Sequence, residues 1–124
     1  HDKNIYISGT TAVDPFSTPS NPRVLHPGDA AAQTRVTIDE IVKAIKALGG
    51  RGAESIVRTK MYVQRQQDCG PVGEVFKNMV GKGKGSEFGC AATMVVVGGF
   101  CDPEMLVEIE CDAVADADEV AEKM

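Results

Sequence analysis

The chain has 124 residues, 43% of them hydrophobic and 25% charged, a length and balance that suit one globular domain, residues 1–124, with a core that needs no staples. Its formal net charge of −5 opposes phosphate backbones, whose recognition rests on Lys and Arg, and this excludes nucleic acid as a primary partner. No apolar run approaches the roughly 18 residues of a membrane-spanning helix, so no membrane association is expected.

The four cysteines, Cys69, Cys90, Cys101 and Cys111, form no CxxC and pair with no His at ligand spacing. Free thiols in a reducing compartment are expected, with no metal and no cofactor. The sequence opens at His1 rather than Met. A cytoplasmic location is expected, and a mitochondrial one stays open because a targeting peptide would precede this segment.

In chain order, Asn4–Ser8 (NIYIS) reads as a first strand closed by Gly9. Pro15, Pro19, Pro22 and Pro27 then forbid a regular ladder, which predicts a loop with a short strand near Val24. Both histidines, His1 and His26, fall outside periodic segments and read as surface positions. Asp29 is placed to cap a long helix whose apolar stripe is Ile38, Ile41, Val42 and Ile45, with Lys43 and Lys46 outside and Gly49–Gly50 as the left-handed stop.

Residues 55–64 alternate as a half-polar strand, with Val57, Thr59, Met61 and Val63 on one face and Ile56, Arg58, Lys60 and Tyr62 on the other. Asp68 is expected to cap a short helix striped by Val72, Val75, Phe76 and Met79 and ending at Gly81. A flexible basic loop, residues 81–86, follows. Cys90–Val97 (CAATMVVV) is apolar on both faces. Such a strand must be covered on both sides, and two helices can cover only one face of a sheet, so a partner subunit is expected. Met105–Ala115 reads as the last strand, with Val107, Ile109, Cys111 and Ala113 inward, Glu108, Glu110 and Asp112 on the opposite face, and a fraying tail after it. The order predicts an α+β layer: a mixed sheet with two helices on one face.

Taken together, these segments resemble the RidA/YjgF family. Ile7-Ser8-Gly9-Thr10 resembles that family's SGQ turn, and Gln33–Ile45 resembles its helix of the form QxxxxLxNIxxxL. Gly50–Val63 resembles its "G…dIVkttvyV" strand, and Val107–Glu110 its closing "vEIEa" strand. The resemblance implies a chorismate-mutase-like fold and a homotrimer with a small-molecule ligand in an inter-subunit cleft. It also implies hydrolysis of reactive enamines or imines, and it brings with it an endoribonuclease label that the acidic charge opposes.

In that chemistry a Glu of the last strand places water or a proton, the SGQ turn offers backbone contacts, and an Arg in a "PAR" segment binds the substrate carboxylate. Carried over by position, the Glu is Glu108 (the catalytic candidate), the turn is Ser8, Gly9 and Thr10, and the altered segment runs Cys90-Ala91-Ala92, followed by Thr93. Ala92 stands where the Arg should be, and alanine offers no donor to a carboxylate. Lys82, Lys84, Arg58 and Lys60 are the cations that could replace it. Cys90 as a nucleophile has no nearby His in sequence to activate it. The sequence therefore supports an imine hydrolase with an altered substrate range, or a non-catalytic trimer that binds a small metabolite or protein in the same cleft.

Overall fold

The computed structural model describes residues 2–80 and 89–116. Four strands and two α-helices alternate in the order β1 (Asp2–Thr10), α1 (Ala30–Ala47), β2 (Ile56–Val63), α2 (Cys69–Met79), β3 (Ala91–Val96) and β4 (Val107–Asp116). The sheet order is β1-β4-β2-β3. β4 runs antiparallel to both of its neighbours, while β2 and β3 are parallel. The expected mixed α+β layer is therefore present.

α1 begins as its sequence directs. The Asp29 carboxylate accepts the Ala32 N–H at 3.0 Å, which satisfies one of the orphan donors of the first turn. Ile38, Ile41 and Ile45 are buried, and Val42 packs beside them. Gly49 ends the helix at φ +98°, a backbone setting that costs glycine little, while the Gly50 N–H reaches the Ile45 carbonyl at 2.9 Å. α1 packs on β4, β1 and α2. From β4, Val107, Ile109, Cys111, Ala113 and Ala115 complete the same core.

The loop between β1 and α1 contains isolated bridges rather than a strand, Val13 with Val24 and Thr18 with Asn21. Asp14 latches it. Its carboxylate accepts from the Arg23 guanidinium and, at 2.9 Å, from the Phe16 N–H. The bond to Arg23, and after it the bond to Phe16, hold this carboxyl below its usual range. His26 is exposed, as expected, and adopts a positive φ of 53°.

Three expectations need correction. β1 does not close at Gly9: a bulge between Ile7 and Thr10 carries the strand onward. A second bulge between Ile56 and Arg58 turns Ile56 inward and leaves Val57 exposed, which reverses the expected faces at the start of β2. Asp68 makes no capping bond to α2. Its carboxylate instead takes the Arg65 guanidinium, at 2.7 Å and 3.2 Å, because the chain enters α2 through a 3-10 turn that brings Arg65 over it. As expected, β3 is not covered on both sides within the subunit. It is an edge strand, with Ala91, Ala92 and Thr93 exposed and Val95 and Val96 at 42% and 51% exposure.

Gln33 joins the layers. It is fully buried, and its amide donates to the carbonyls of Glu104 at 2.9 Å and His26 at 3.2 Å while accepting the Leu106 N–H at 2.9 Å. One side chain thus satisfies the turn that leads into β4. Gln33→Ala should lower stability by roughly 2–4 kcal/mol, because it strands a buried N–H and a buried C=O without partners. Urea unfolding at fixed protein concentration checks this.

Candidate active site

The face of the sheet away from the helices carries Tyr6 of β1, Glu108, Glu110 and Asp112 of β4, Arg58, Lys60 and Tyr62 of β2, and Thr93 and Val95 of β3. Register fixes their neighbours: Arg58 lies opposite Asp112, Lys60 opposite Glu110, and Tyr62 opposite Glu108. On the far side of β2, Lys60 aligns with Thr93 and Tyr62 with Val95. Tyr6 pairs with Asp112 and is 72% exposed. Opposite charges at directly paired positions make this face a balanced polar strip rather than a column of bare repulsion. Arg58, Lys60, Glu110, Cys111 and Asp112 line a depression of 30 Å³, about the space of one water.

The structure brings Glu108 together with the predicted turn. A Cβ on Gly9 would collide with Oε2 of Glu108 and lie 2.9 Å from its Cδ. The carboxylate therefore rests in the space that glycine leaves open, and the bulge is what turns Gly9 toward it. Ser8 and Thr10 flank the same point, and the Thr10 hydroxyl donates to the Ser8 carbonyl at 2.9 Å, which stiffens the turn. Among the described residues no side chain donates a hydrogen bond to Glu108.

Cys90, Ala92 and Thr93 lie elsewhere. They are on or beside β3, two strands from β4 and three from β1. At about 4.8 Å per strand, a span of roughly 10–15 Å separates the two groups of candidates within one chain. Thr93 shares the open face with Lys60, whereas Cys90 and Met94 pack toward the core and Ala92, paired with Thr59, shares their face at the exposed edge. Lys82 and Lys84 lie outside the described residues. Arg58 and Lys60 are on the open face, where their opposite numbers are acidic.

The chemistry of the thiols is muted. Cys111 is buried, and burial pushes its thiol up to about 11, with the Thr59 hydroxyl pulling the other way. That hydroxyl sits 3.4 Å from Cys111 Sγ and 3.8 Å from Cys90 Sγ, so Thr59 finds its partners in two sulfurs. Among the described residues no histidine is bonded to Cys90, and no group of three metal-ligating side chains gathers. No described helix is long and apolar enough to cross a membrane.

Two features of the site were not read from the sequence. Tyr62 donates its hydroxyl to Oε1 of Glu110 across the strand gap, and the bulge at Ser8–Gly9 turns Gly9 toward Glu108. A Tyr on the polar face of a strand is the signal that could have pointed to the first.

The endoribonuclease L-PSP family model matches residues 1–115. The chain belongs to this family, whose other name is RidA/YjgF. Among solved structures it is similar to Rv2704 of Mycobacterium tuberculosis, described as a member of the YjgF/YER057c/UK114 family. The two are 32% identical with a TM-score of 0.68, over 89% of this chain and 77% of that one. It is also similar to the Escherichia coli YjgF gene product, at 26% identity and a TM-score of 0.73, over 91% of this chain and 81% of that one. A curated relative, the uncharacterized protein SCO2049 of Streptomyces coelicolor, is 29% identical over 109 residues, which is 88% of this chain and 72% of the relative. The RidA/YjgF resemblance read from the sequence is therefore correct, and with it the fold.

Gly9→Ala should displace the Glu108 carboxylate while sparing the fold, because the colliding atom is the free end of a flexible side chain. A crystal structure of the variant should show Glu108 in a new rotamer, and its stability should stay within about 1 kcal/mol of the parent.

Proposed function

We propose that this RidA/YjgF protein is a homotrimeric hydrolase of small imines or enamines, acting in clefts between subunits on substrates without a carboxylate. The observation that carries the proposal is the seating of the Glu108 carboxylate against Gly9, beside a bulged turn and without a donor among the described residues. A carboxylate held on a rigid strand and left unpaired can take a proton from water as the water attacks carbon.

The reaction balances without a cofactor. Water adds to the C=N carbon as Glu108 takes one of the water's protons, the C=N π pair moves to nitrogen, and Glu108 returns that proton to the nitrogen. In the resulting carbinolamine Glu108 passes the hydroxyl proton to nitrogen, and the C–N bond breaks to release ammonia as the C=O bond forms. The exposed edge strand β3 is the part of a neighbouring subunit that would complete the cleft, because within one chain Cys90, Ala92 and Thr93 lie too far from Glu108 to share a ligand with it. The one-sided cover of the sheet and the half-exposed Val95 and Val96 support assembly of copies.

Ala92 directs substrate choice in this reading. An Arg there would grip a carboxylate through two charge-assisted bonds, and Ala92 makes none. Alanines at two successive positions of the edge strand also favour a second reading, a trimer that binds a small neutral metabolite without turning it over.

Ammonia release from freshly generated 2-iminobutyrate and from a neutral imine of similar size separates these readings. The parent protein should act on the neutral imine and poorly on 2-iminobutyrate. Glu108→Ala should abolish turnover of the neutral imine, and Ala92→Arg should raise kcat/KM on 2-iminobutyrate by roughly 10- to 150-fold, the worth of a charge-assisted bond. Efficient parental turnover of 2-iminobutyrate would show that another cation anchors the carboxylate. Tight binding of the neutral imine with no ammonia released would favour the binding trimer.

A further inference from the structure

β4 presents three carboxylates on one face at two-residue spacing, yet the structure treats them differently. Arg58 lies opposite Asp112, and Lys60 lies opposite Glu110. Glu108 has no cation across from it: its partner position on β2 is Tyr62. The phenol does not stop there, because the hydroxyl donates to Oε1 of Glu110, the diagonal neighbour. Diagonal pairs across an antiparallel ladder lie within reach of an aromatic side chain. Glu110 is thereby held from the β2 side, while Glu108 rests against Gly9 on the β1 side.

We propose that Tyr62 is a positioning residue: by engaging Glu110 it determines that Glu108 is the carboxylate of β4 left open to a ligand. The proposal rests on the reading of Glu108 as the acid–base group and deepens it. A glutamate without this bond samples several staggered rotamers. Some of them carry Glu110 toward Glu108, where its side chain would occupy the space beside that carboxylate which a ligand needs. With the bond made, one rotamer is held and the two carboxylates are kept to opposite sides of β4. The hydroxyl is also a dependable donor. The hydrogen bond to Glu110, then burial and the charges of Glu110 and Glu108, hold the phenol above its ordinary 10.0, so it stays protonated through the neutral range.

The test compares the parent with Tyr62→Phe, Glu110→Gln and the double variant, using the neutral imine as substrate. Tyr62→Phe keeps the ring and removes only the donor, so thermal unfolding should stay within a few degrees of the parent. Its kcat should fall about tenfold with KM changed less than about twofold. The double variant should fall no further than the worse single one, because both changes remove the same bond. A second readout needs no turnover. The chain has two tyrosines and no tryptophan, so in a Tyr6→Phe background phenolate absorbance follows Tyr62 alone. Adding Glu110→Gln should bring its titration midpoint down toward 10.0.

Parental kinetics in Tyr62→Phe, strictly additive losses in the double variant, or a midpoint that ignores Glu110→Gln would each overturn the proposal while leaving the hydrolase reading intact. Failure of the parent to release ammonia, with the tyrosine midpoint still shifted by Glu110→Gln, would overturn the hydrolase reading and the role assigned to the bond with it.

Discussion

Both helices lie on the same face of the sheet, and the one-sided cover they provide governs the rest of the molecule. On that face β4 can afford nothing but apolar residues, and Val107, Ile109, Cys111, Ala113 and Ala115 are all buried. On the other face the same strand alternates to Glu108, Glu110 and Asp112, which stay partly open. Polar groups that need to enter the covered side must bring partners with them. Gln33 does so by matching three backbone groups with one amide, and Thr59 does so with two sulfurs. No buried side-chain N or O among the described residues lacks a partner. Among the described residues the core is thus closed, and the charged residues Arg58, Lys60, Glu108, Glu110 and Asp112 stand on the open face.

On the open face, basic residues of β2 stand opposite acidic residues of β4 until the ladder reaches Glu108. The cations of β2, Lys60 and Arg58, lie opposite Glu110 and Asp112 in register. Glu108 instead meets a phenol that has turned away and a glycine that makes room. In the cleft proposed between subunits, such a carboxylate would interact more strongly with a ligand than it would at an open surface. It favours a group that can donate to it or become cationic, as an imine nitrogen does on protonation. In the proposed reading, a carboxylated substrate would bring a second negative charge to that cleft, and Ala92 would supply nothing to hold it. The same charge balance argues against RNA, despite the endoribonuclease description of the family.

Much of the fold was legible because local signals agreed with one another. α1 carried an acceptor at its start, an isoleucine stripe and a glycine stop, and each does in the structure what its chemistry suggested. β4 alternated strictly, so both of its faces could be assigned. The phase of β2 was misread at its start because a bulge adds one residue without a compositional mark, and Val57 looks no different from an inward valine until Ile56 pairs with Ala113. The bulge at Ser8–Gly9 was hidden in the same way, although the glycine itself was noticed. Asp68 resembled a cap because it precedes an apolar stripe, but Arg65 three residues earlier offered it a stronger partner. The diagonal bond from Tyr62 to Glu110 depends on register, which no single strand contains. The separation of Glu108 from Ala92 and Thr93 depends on strand order, which follows from how the helices cross the sheet.

That separation makes the shared cleft the central claim, and mixed trimers test it most directly. Glu108→Ala removes the proposed acid–base group, and Ala92→Trp should block the cleft from the β3 side, so each variant alone should be inactive on a neutral imine. Unfolded together in equal amounts and refolded, they should recover about a quarter of the parental activity, because some clefts then join an intact Glu108 to an intact β3 edge across a cyclic interface. No recovery on mixing, with trimers verified by sedimentation, would mean that Glu108 and the β3 edge serve the same cleft from the same subunit, and would contradict the account.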